Sequence, residues 1–286
     1  MRIEFLTLKR LIFYLKTPSP LVSKLKVLYW FLVRAFLRTT IGWKRATQLL
    51  KGVENKKIKT KMKDGAQFIN TIEQIGNFYE IYGERKQELI KIPLKSNPVI
   101  IDIGAHIGIY SIKKALEFPR GKVIAIEPER KNFEMLLRNK KLNKLKNLFA
   151  YKIALFSKNG KTKLFLDKFG SGQHSLIGES CRNFERVLTK KLDNFVKSLN
   201  LHEISCIKID TEGAEFEILK GAKNTIKKYL PLFVIETHPW KIRNNDEKIR
   251  NFLKAYGYKL IEFKNKGSII FALKKKKQEI KIQRRK

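Results

Sequence analysis

Short apolar runs alternate with amphipathic segments over most of the chain. The clearest run covers 99–103, is interrupted by Asp102, and ends in a turn with Gly104 and Gly108; a helical pattern over 109–118 and a second apolar run over 122–126 follow. Apolar runs of about four to eight residues are typical of strands buried on both faces of a sheet. The pattern therefore predicts a strand–helix–strand unit.

The alternation continues to residue 273. Helical patterns cover 130–143, 192–199, 215–229 (broken near Gly221) and 246–255, and strand patterns cover 147–154, 161–167, 204–209, 231–237, 258–263 and 268–273. Strands that alternate with helices form parallel sheets, whereas two strands joined by a short turn, here at Gly267, are antiparallel to each other. We predict an α/β, Rossmann-like fold: a seven-stranded, mostly parallel sheet with one antiparallel strand near the edge and helices on both faces.

The two ends of the chain have a different pattern. Residues 1–60 show one or two basic helical patterns with Pro18 and Pro20 as breakers, and 64–95 shows short strands and a helix. The predicted domains are a basic helical extension over 1–60, a Rossmann-like domain over 61–273 and a basic, mobile tail over 274–286.

Charge is the strongest feature of the composition. The 286 residues carry a formal charge of +36, and residues 1–63 hold 16 Lys or Arg side chains against two acids. Such a surface attracts nucleic acid, anionic lipid or acidic substrates, so charge alone does not identify a reaction. The hydrophobic fraction of 43% argues against general disorder, and the two cysteines indicate neither a disulfide framework nor a structural zinc site.

The segment 21–38 comes nearest to a membrane element. Its uninterrupted apolar run covers only 27–33, whereas crossing a bilayer takes about 20 residues. Two interpretations stay open: a basic amphipathic helix on an anionic membrane, with Tyr29 and Trp30 at the interface, or a helix packed on the catalytic domain. Because no signal peptide is evident, we expect a cytoplasmic location, with peripheral attachment to the inner membrane face under the first interpretation.

The first candidate site follows the first buried strand. Gly104 and Gly108 lie in the turn after Asp102, and Glu127 ends the next strand. Glycines let the backbone approach a ligand, and an acid at the second strand's end binds ribose hydroxyls. The spacing Asp-x-Gly-x-x-x-Gly differs from the Gly-x-Gly-x-x-Gly of pyrophosphate binders, so it predicts an adenosine-type ligand. His106 either contacts that ligand or caps the helix.

A second group of charged residues follows a later strand. Lys208, Asp210 and Glu212 alternate where the strand at 204–209 ends. Open α/β sheets bind ligands at the carboxyl ends of their strands, which favours a functional interpretation. The alternative is a mutual ion-pair network that includes Glu215, because charged groups are costly to bury unpaired.

Two histidines extend this group. Glu236 and His238 end the following strand, so we expect them beside Asp210, and His238 is a candidate general base. His174 lies in a glycine-rich loop over 168–178, which either wraps a ligand or forms a surface turn.

Together these motifs resemble the FkbM-type methyltransferases over about residues 60–240. The matching segments are Asp102-x-Gly-Ala-His-x-Gly108, Glu127-Pro128, Gly170-Ser-Gly-x-His-Ser175, Leu192-Asp-Asn-Phe195, Lys208-x-Asp-x-Glu-Gly-Ala-Glu215, Leu219-Lys-Gly-Ala222 and Glu236. The resemblance implies an S-adenosylmethionine-dependent enzyme with a Rossmann-like fold. It also implies O-methyl transfer, often to a sugar hydroxyl of a glycan, glycolipid or natural product.

The resemblance implies residue roles as well. Our hypothesis assigns cofactor binding to Asp102, Gly104, His106, Gly108, Glu127 and Pro128, acceptor binding to His174, Lys208 and Glu236, and catalysis to Asp210, Glu212 and His238. At position 106 the family most often has Asn.

The corresponding mechanism is in-line attack by an acceptor hydroxyl oxygen on the methyl group of the sulfonium. Positioning two reactants and removing the hydroxyl proton both accelerate such a step. Asp210 is the first candidate for the base, followed by His238 and Glu212. Alternatively, the carboxylates hold a divalent cation that polarises the hydroxyl.

Two other function classes stay open. The +36 charge would suit an RNA or DNA methyltransferase, but the strand tip has Asp-Thr-Glu-Gly instead of the Asn/Asp-Pro-Pro-aromatic turn of amino-methylating enzymes. An aromatic platform for stacking bases is not evident either. The other class is a non-catalytic basic binding protein with a degenerate Rossmann-like domain. We therefore expect a small-molecule or glycan acceptor ahead of nucleic acid.

Overall fold

The computed structural model describes residues 2–42, 45–46, 49–50, 56–72, 74–82, 94–166, 174–177, 183–239, 241–264 and 268–274. They belong to two compact units. The N-terminal unit comprises Met1–Lys91 and Leu137–Lys144, and the sheet unit comprises Ile92–Leu136 and Leu145–Lys286. Residues 167–173 and 178–182, which include most of the predicted glycine-rich loop, and the tail over 275–286 lie outside the described residues. The domain boundaries at 60 and 273 stay predictions.

The N-terminal unit combines helices with a two-stranded hairpin. Its elements are α1 (Arg2–Leu15), α2 (Leu21–Ile41), β1 (Lys57–Lys61), β2 (Gln67–Thr71) and α3 (Ile75–Tyr82). Strands β1 and β2 pair antiparallel. Because β1 begins at Lys57, the helical prediction is wrong over residues 57–60.

One face of α2 supplies much of this unit's core. Val27 and Trp30 are buried with Tyr14 of α1 and Ile58 of β1. At the start of the helix, Ser23 accepts a hydrogen bond from the backbone N–H of Lys59 (3.2 Å). Within the described part of the chain, every helix is too short or too polar to cross a bilayer.

The sheet unit contains two sheets. Its strands are β3 (Val99–Ile103), β4 (Lys122–Ile126), β5 (Leu148–Tyr151), β6 (Ala154–Leu155), β7 (Gly160–Phe165), β8 (Phe184–Lys190), β9 (Cys206–Ile209), β10 (Leu232–Glu236), β11 (Tyr258–Lys264) and β12 (Ser268–Lys274). Its helices are α4 (Ile109–Glu117), α5 (Arg130–Leu142, whose last residues belong to the N-terminal unit), α6 (Leu192–Ser198), α7 (Glu215–Lys220), α8 (Lys223–Tyr229) and α9 (Asn245–Ala255).

The larger sheet confirms the predicted fold class. Its seven strands have the order β11-β12-β10-β9-β3-β4-β5, and β12, next to the edge, is antiparallel to both of its neighbours. The central strands β3, β4, β9 and β10 are buried at nearly every position, as their continuous apolar runs predict. The order places β9 between β3 and β10, with Asp102 opposite Lys208. The charged residues that follow these strands therefore meet at one edge.

The smaller sheet differs from the sequence prediction. It has the order β6-β8-β7, and β8 was not predicted. The single strand predicted over 147–154 is two short strands, β5 and β6, that belong to different sheets. Conversely, the helix predicted over 215–229 is divided into α7 and α8 at Gly221, as expected.

Candidate active site

A pocket of about 560 Å³ lies at the carboxyl ends of the central strands. The pocket is lined by Ile103, Gly104, His106, Ile126, Glu127, Pro128, Asn132, Ile153, Ala154, Leu155, Leu164, His174, Leu176, Asp210, Thr211 and Glu212. Open α/β sheets bind their ligands at this place.

The turn between β3 and α4 forms one wall of the pocket. Gly104 has a φ of +81°, and a Cβ at this position would overlap the carbonyl oxygen of Asp210. The N–H groups of Gly104 and Ala105 both donate to the carbonyl of Ile126 (3.0 Å). These donors are thus engaged within the protein, unlike those of a turn that cradles phosphates.

His106 occupies a left-handed backbone conformation in this turn, with a φ of +53°. Asn, Asp and His are the non-glycine residues that adopt this conformation most readily. His106 therefore suits this turn on conformational grounds, as would the Asn expected there from the resemblance. The side chain of His106 lines the pocket.

Glu127 is fixed at the end of β4 by two backbone groups. Its Oε2 accepts a hydrogen bond from the N–H of His106 (2.8 Å), and its Oε1 accepts one from the N–H of Glu129 (2.9 Å). Burial raises the pKa of Glu127 to about 7, although these two hydrogen bonds oppose the shift. Each carboxylate oxygen has a second lone pair, so both can also accept a ligand hydroxyl.

A buried ion-pair chain runs beneath the pocket. Lys208 Nζ lies 3.1 Å from Oδ1 of Asp102 and 3.4 Å from Oδ2 of Asp210. Asp102 is fully buried, and its Oδ2 also accepts a hydrogen bond from Ser111 (2.5 Å). Asp210 is the member of this chain that lines the pocket.

His238 lies among three carboxylates. Its Nδ1 is 2.9 Å from Oε1 of the fully buried Glu215, and its Nε2 is 3.5 Å from Glu212 and 3.7 Å from Asp210. Burial opposes a charged ring, but the hydrogen bond and charge of Glu215, with the charges of Asp210 and Glu212, outweigh it and raise the pKa of His238 to about 9. The ring is therefore an imidazolium at neutral pH, which makes it a poor proton acceptor and favours Asp210 for that role.

Glu212 lies in a strained turn between β9 and α7. Its φ is +55°, a conformation that costs roughly 1–2 kcal/mol in a non-glycine residue. Its carboxylate pairs with Lys241 Nζ at 2.9 Å. Burial raises the pKa of Glu212, against the charge of His238 and the hydrogen bond of Lys241. The hydroxyl of Ser175 donates to the carbonyl of Glu212 (2.8 Å), next to His174 in the pocket wall.

Three side chains in the described part of the chain could hold a metal ion. Asp210, Glu236 and His238 each offer one donor atom, and these atoms lie within 4.8 Å of one another. The hydrogen bond between His238 and Glu215 resembles the outer interactions that orient metal-binding histidines.

The predicted residues divide into two layers. Those that line the pocket are Gly104, His106, Glu127, Pro128, His174, Asp210 and Glu212. The others, Asp102, Gly108, Lys208, Glu236 and His238, are not among the lining residues. The roles proposed for both groups stay predictions. The sequence analysis missed Asn132, Thr211, Lys241 and Asn245. Asn245, on α9, donates a hydrogen bond to Glu215 (2.9 Å), and no sequence motif identifies this residue.

The fold is Rossmann-like, and its pocket lies at the carboxyl ends of the strands, where open α/β sheets bind their ligands. The model of the methyltransferase FkbM domain family matches residues 102–260, more than half of the chain. The chain belongs to this family, as the sequence resemblance predicted, and it is a methyltransferase.

Two named relatives agree with this assignment. The chain is 27% identical to methyltransferase sdnD of Sordaria araneosa over 221 residues, 66% of this chain and 84% of that protein. It is 23% identical to hexuronic acid methyltransferase AglP of Haloferax volcanii over 174 residues, 59% of this chain and 69% of that protein. A crystal structure of a methyltransferase FkbM from Methylobacillus flagellatus aligns with a TM-score of 0.49 at 16% identity, covering 68% of this chain and 47% of that one.

Proposed function

We propose that this protein transfers a methyl group from S-adenosylmethionine to a hydroxyl oxygen of a sugar, in a glycan, a glycolipid or a natural product. One observation carries the proposal. Glu127, at the end of β4, and the acids Asp210 and Glu212, which follow β9, line the same pocket. A carboxylate suited to ribose hydroxyls thus shares a cavity with carboxylates suited to an acceptor.

The residues of the first wall fit the proposed cofactor. Glu127 would accept hydrogen bonds from the ribose hydroxyls. The absence of a Cβ at Gly104 lets the turn after β3 pack directly against the carbonyl of Asp210, on the opposite side of the pocket. The turn's N–H groups donate within the protein, which suits a nucleoside without phosphates. Bound S-adenosylmethionine would supply a methyl group activated by its positive sulfur.

Asp210 is the proposed proton acceptor. Its side chain is 23% exposed and lines the pocket, whereas the side chain of His238 is 3% exposed and positively charged. As the acceptor oxygen loses its proton, Asp210 would take that proton, and such transfer contributes about 10²–10⁴-fold. Lys208 and His238 would hold the carboxylate in place from two sides.

The sugar acceptor is supported by a relative and by chemistry. AglP, named for its action on hexuronic acid, aligns with 59% of this chain. A sugar presents a neutral hydroxyl, so its methylation needs a base such as Asp210 and a site that excludes water. Nucleic acid is the second candidate, favoured by the formal charge of +36.

A methyl-transfer screen tests the proposal. The full chain would be incubated at physiological salt with methyl-labelled S-adenosylmethionine and, separately, hexoses, hexuronic acids, lipid extracts and total RNA. We expect label in a sugar-containing product and its loss with Asp210→Asn. Label in RNA alone would overturn the sugar acceptor, and failure of S-adenosylmethionine to bind in calorimetry would overturn the enzyme assignment.

A divalent cation on Asp210, Glu236 and His238 is the alternative partner for the acceptor hydroxyl. The two carboxylates and the imidazole suit Mg²⁺, Mn²⁺ or Zn²⁺. When bound, the ion would supply polarisation of the hydroxyl. Dialysis against EDTA separates the two arrangements: unchanged turnover supports Asp210 as an unaided base, whereas loss that added Mg²⁺ or Mn²⁺ reverses supports the cation.

A further inference from the structure

Helix α2 has two faces of opposite environment. One face is buried in the N-terminal unit, through Ser23, Val27 and Trp30. The opposite face carries large apolar side chains that are more than half exposed: Leu21 (69%), Val22 (64%), Leu25 (55%), Tyr29 (65%), Leu32 (62%) and Phe36 (65%). This set is the exposed apolar face of α2.

The spacing of these residues makes the face continuous. With about 100° between successive residues of an α-helix, the six side chains fall within a sector of roughly 100° that runs along most of α2. Isolated exposed apolar residues are common on proteins, but a contiguous stripe of this size marks an interaction surface.

Two lysines flank this face near the start of α2. Lys24 and Lys26 lie on its two borders, and no acidic residue occurs in α2. On α1, the exposed Leu8 (51%) and Ile12 (43%) are likewise one turn apart, with Lys9 exposed beside Leu8. Residues 1–63 as a whole carry 16 basic side chains against two acids.

We propose that the exposed apolar face of α2 binds to the surface of an anionic lipid bilayer. In this arrangement the helix lies in the plane of the membrane, its apolar side chains enter the acyl boundary, and its lysines contact anionic headgroups. Helix α2 is not apolar enough to cross a bilayer, so it would bind at the membrane surface. A second copy of this basic segment would be repelled by charge, whereas an anionic bilayer complements both the apolar stripe and the lysines.

Vesicle sedimentation tests the proposal with the full chain. We expect binding to phosphatidylcholine vesicles that contain phosphatidylglycerol, little binding to phosphatidylcholine alone, and weakening with added salt. Replacing Leu25, Leu32 and Phe36 by Gln should weaken binding by more than about tenfold, because the inserted apolar area is lost. Lys24→Gln with Lys26→Gln should reduce the salt dependence.

A matched control separates this face from general hydrophobicity. Leu49, Leu137 and Leu188 are also exposed (66%, 42% and 44%) and lie outside α2; replacing them by Gln should leave vesicle binding unchanged. Circular dichroism and S-adenosylmethionine binding would verify that both triple variants are folded. Absence of binding to anionic vesicles, equal loss in the two triple variants, or a dimer that forms through α2 without lipid binding would each overturn the proposal.

Discussion

The two acidic ends of the pocket are built differently. At the end of β4, two backbone N–H groups hold Glu127. Beyond the end of β9, cationic groups approach the acids: Lys208 and His238 approach Asp210, and Lys241 and His238 approach Glu212. A carboxylate fixed by neutral donors suits recognition of neutral hydroxyls, whereas carboxylates among cations suit a site where charge moves during the reaction. The surroundings of the carboxylates thus match the two roles proposed for them, cofactor binding at the end of β4 and catalysis beyond β9.

The largest effect should follow from a change at the β9 end. Asp210→Asn should lower kcat by about 10²–10⁴-fold, because an amide does not accept the proton. The Kd of S-adenosylmethionine should stay within about threefold, since Glu127 is untouched. Steady-state kinetics and calorimetry measure the two quantities.

Asp246→Asn is the matched control for this change. Its side chain is 23% exposed, as is that of Asp210, and it pairs with Arg250 on α9, outside the pocket lining. Its kcat should remain close to that of the unmodified protein. A similar decrease in kcat in both variants would contradict a specific role of Asp210 in proton transfer.

Lys208→Met should destabilise the protein by about 3–5 kcal/mol, because it leaves the fully buried Asp102 without its cation. Urea denaturation measures the free energy of unfolding. Lys114→Met is the comparison: Lys114 is also buried, but its partner Glu117 is 37% exposed and regains water when the lysine is lost. If both variants lose the same free energy of unfolding, the burial of Asp102 does not explain the loss in Lys208→Met.

The pH dependence of stability should report Glu127. Its pKa is about 7 in the folded protein and about 4.5 in the unfolded chain, so the folded state binds more protons between these values. The free energy of unfolding should therefore fall, by up to about 3 kcal/mol, as pH rises from 4.5 to 7. Urea denaturation at several pH values gives the difference in free energy of unfolding between the unmodified protein and Glu127→Gln. If this difference does not change with pH, the pKa of Glu127 is not raised.

The smallest effect concerns cofactor affinity. Glu127→Gln should weaken S-adenosylmethionine binding by about tenfold to a hundredfold, because hydrogen bonds to a charged group contribute about 1.5–3 kcal/mol. Glu129→Gln is the control, since Glu129 is similarly buried but does not line the pocket. If calorimetry shows an equal loss of S-adenosylmethionine affinity in both variants, Glu127 makes no specific contact with the cofactor.

The central sheet could be predicted from the sequence, whereas β8 could not. Strands β9 and β10 are buried on both faces, so their apolar runs are a direct consequence of the fold. In β8 only Val187 and Thr189 are buried, between charged and exposed residues. A strand that lies in a small, partly solvated sheet leaves too weak an apolar pattern to be detected.

The candidate site was partly predictable for a related reason. Parallel strands bring their carboxyl ends to one edge, so Glu127 and Asp210 could be placed at the same edge from the predicted parallel sheet. Lys241 and Asn245 reach Glu212 and Glu215 through tertiary packing. Such contacts depend on how the segment after β10 and helix α9 pack, which single-sequence periodicity does not encode.

The contact between Gly104 and the carbonyl oxygen of Asp210 has a consequence for how such a protein can diversify. Since no side chain fits at that junction, the proposed cofactor and acceptor sides of the pocket meet there through main-chain atoms. We therefore expect acceptor preference to change through the surrounding loops, which tolerate changes of length and composition, and not through this junction. Engineering of new acceptors should accordingly begin near His174 and leave position 104 untouched.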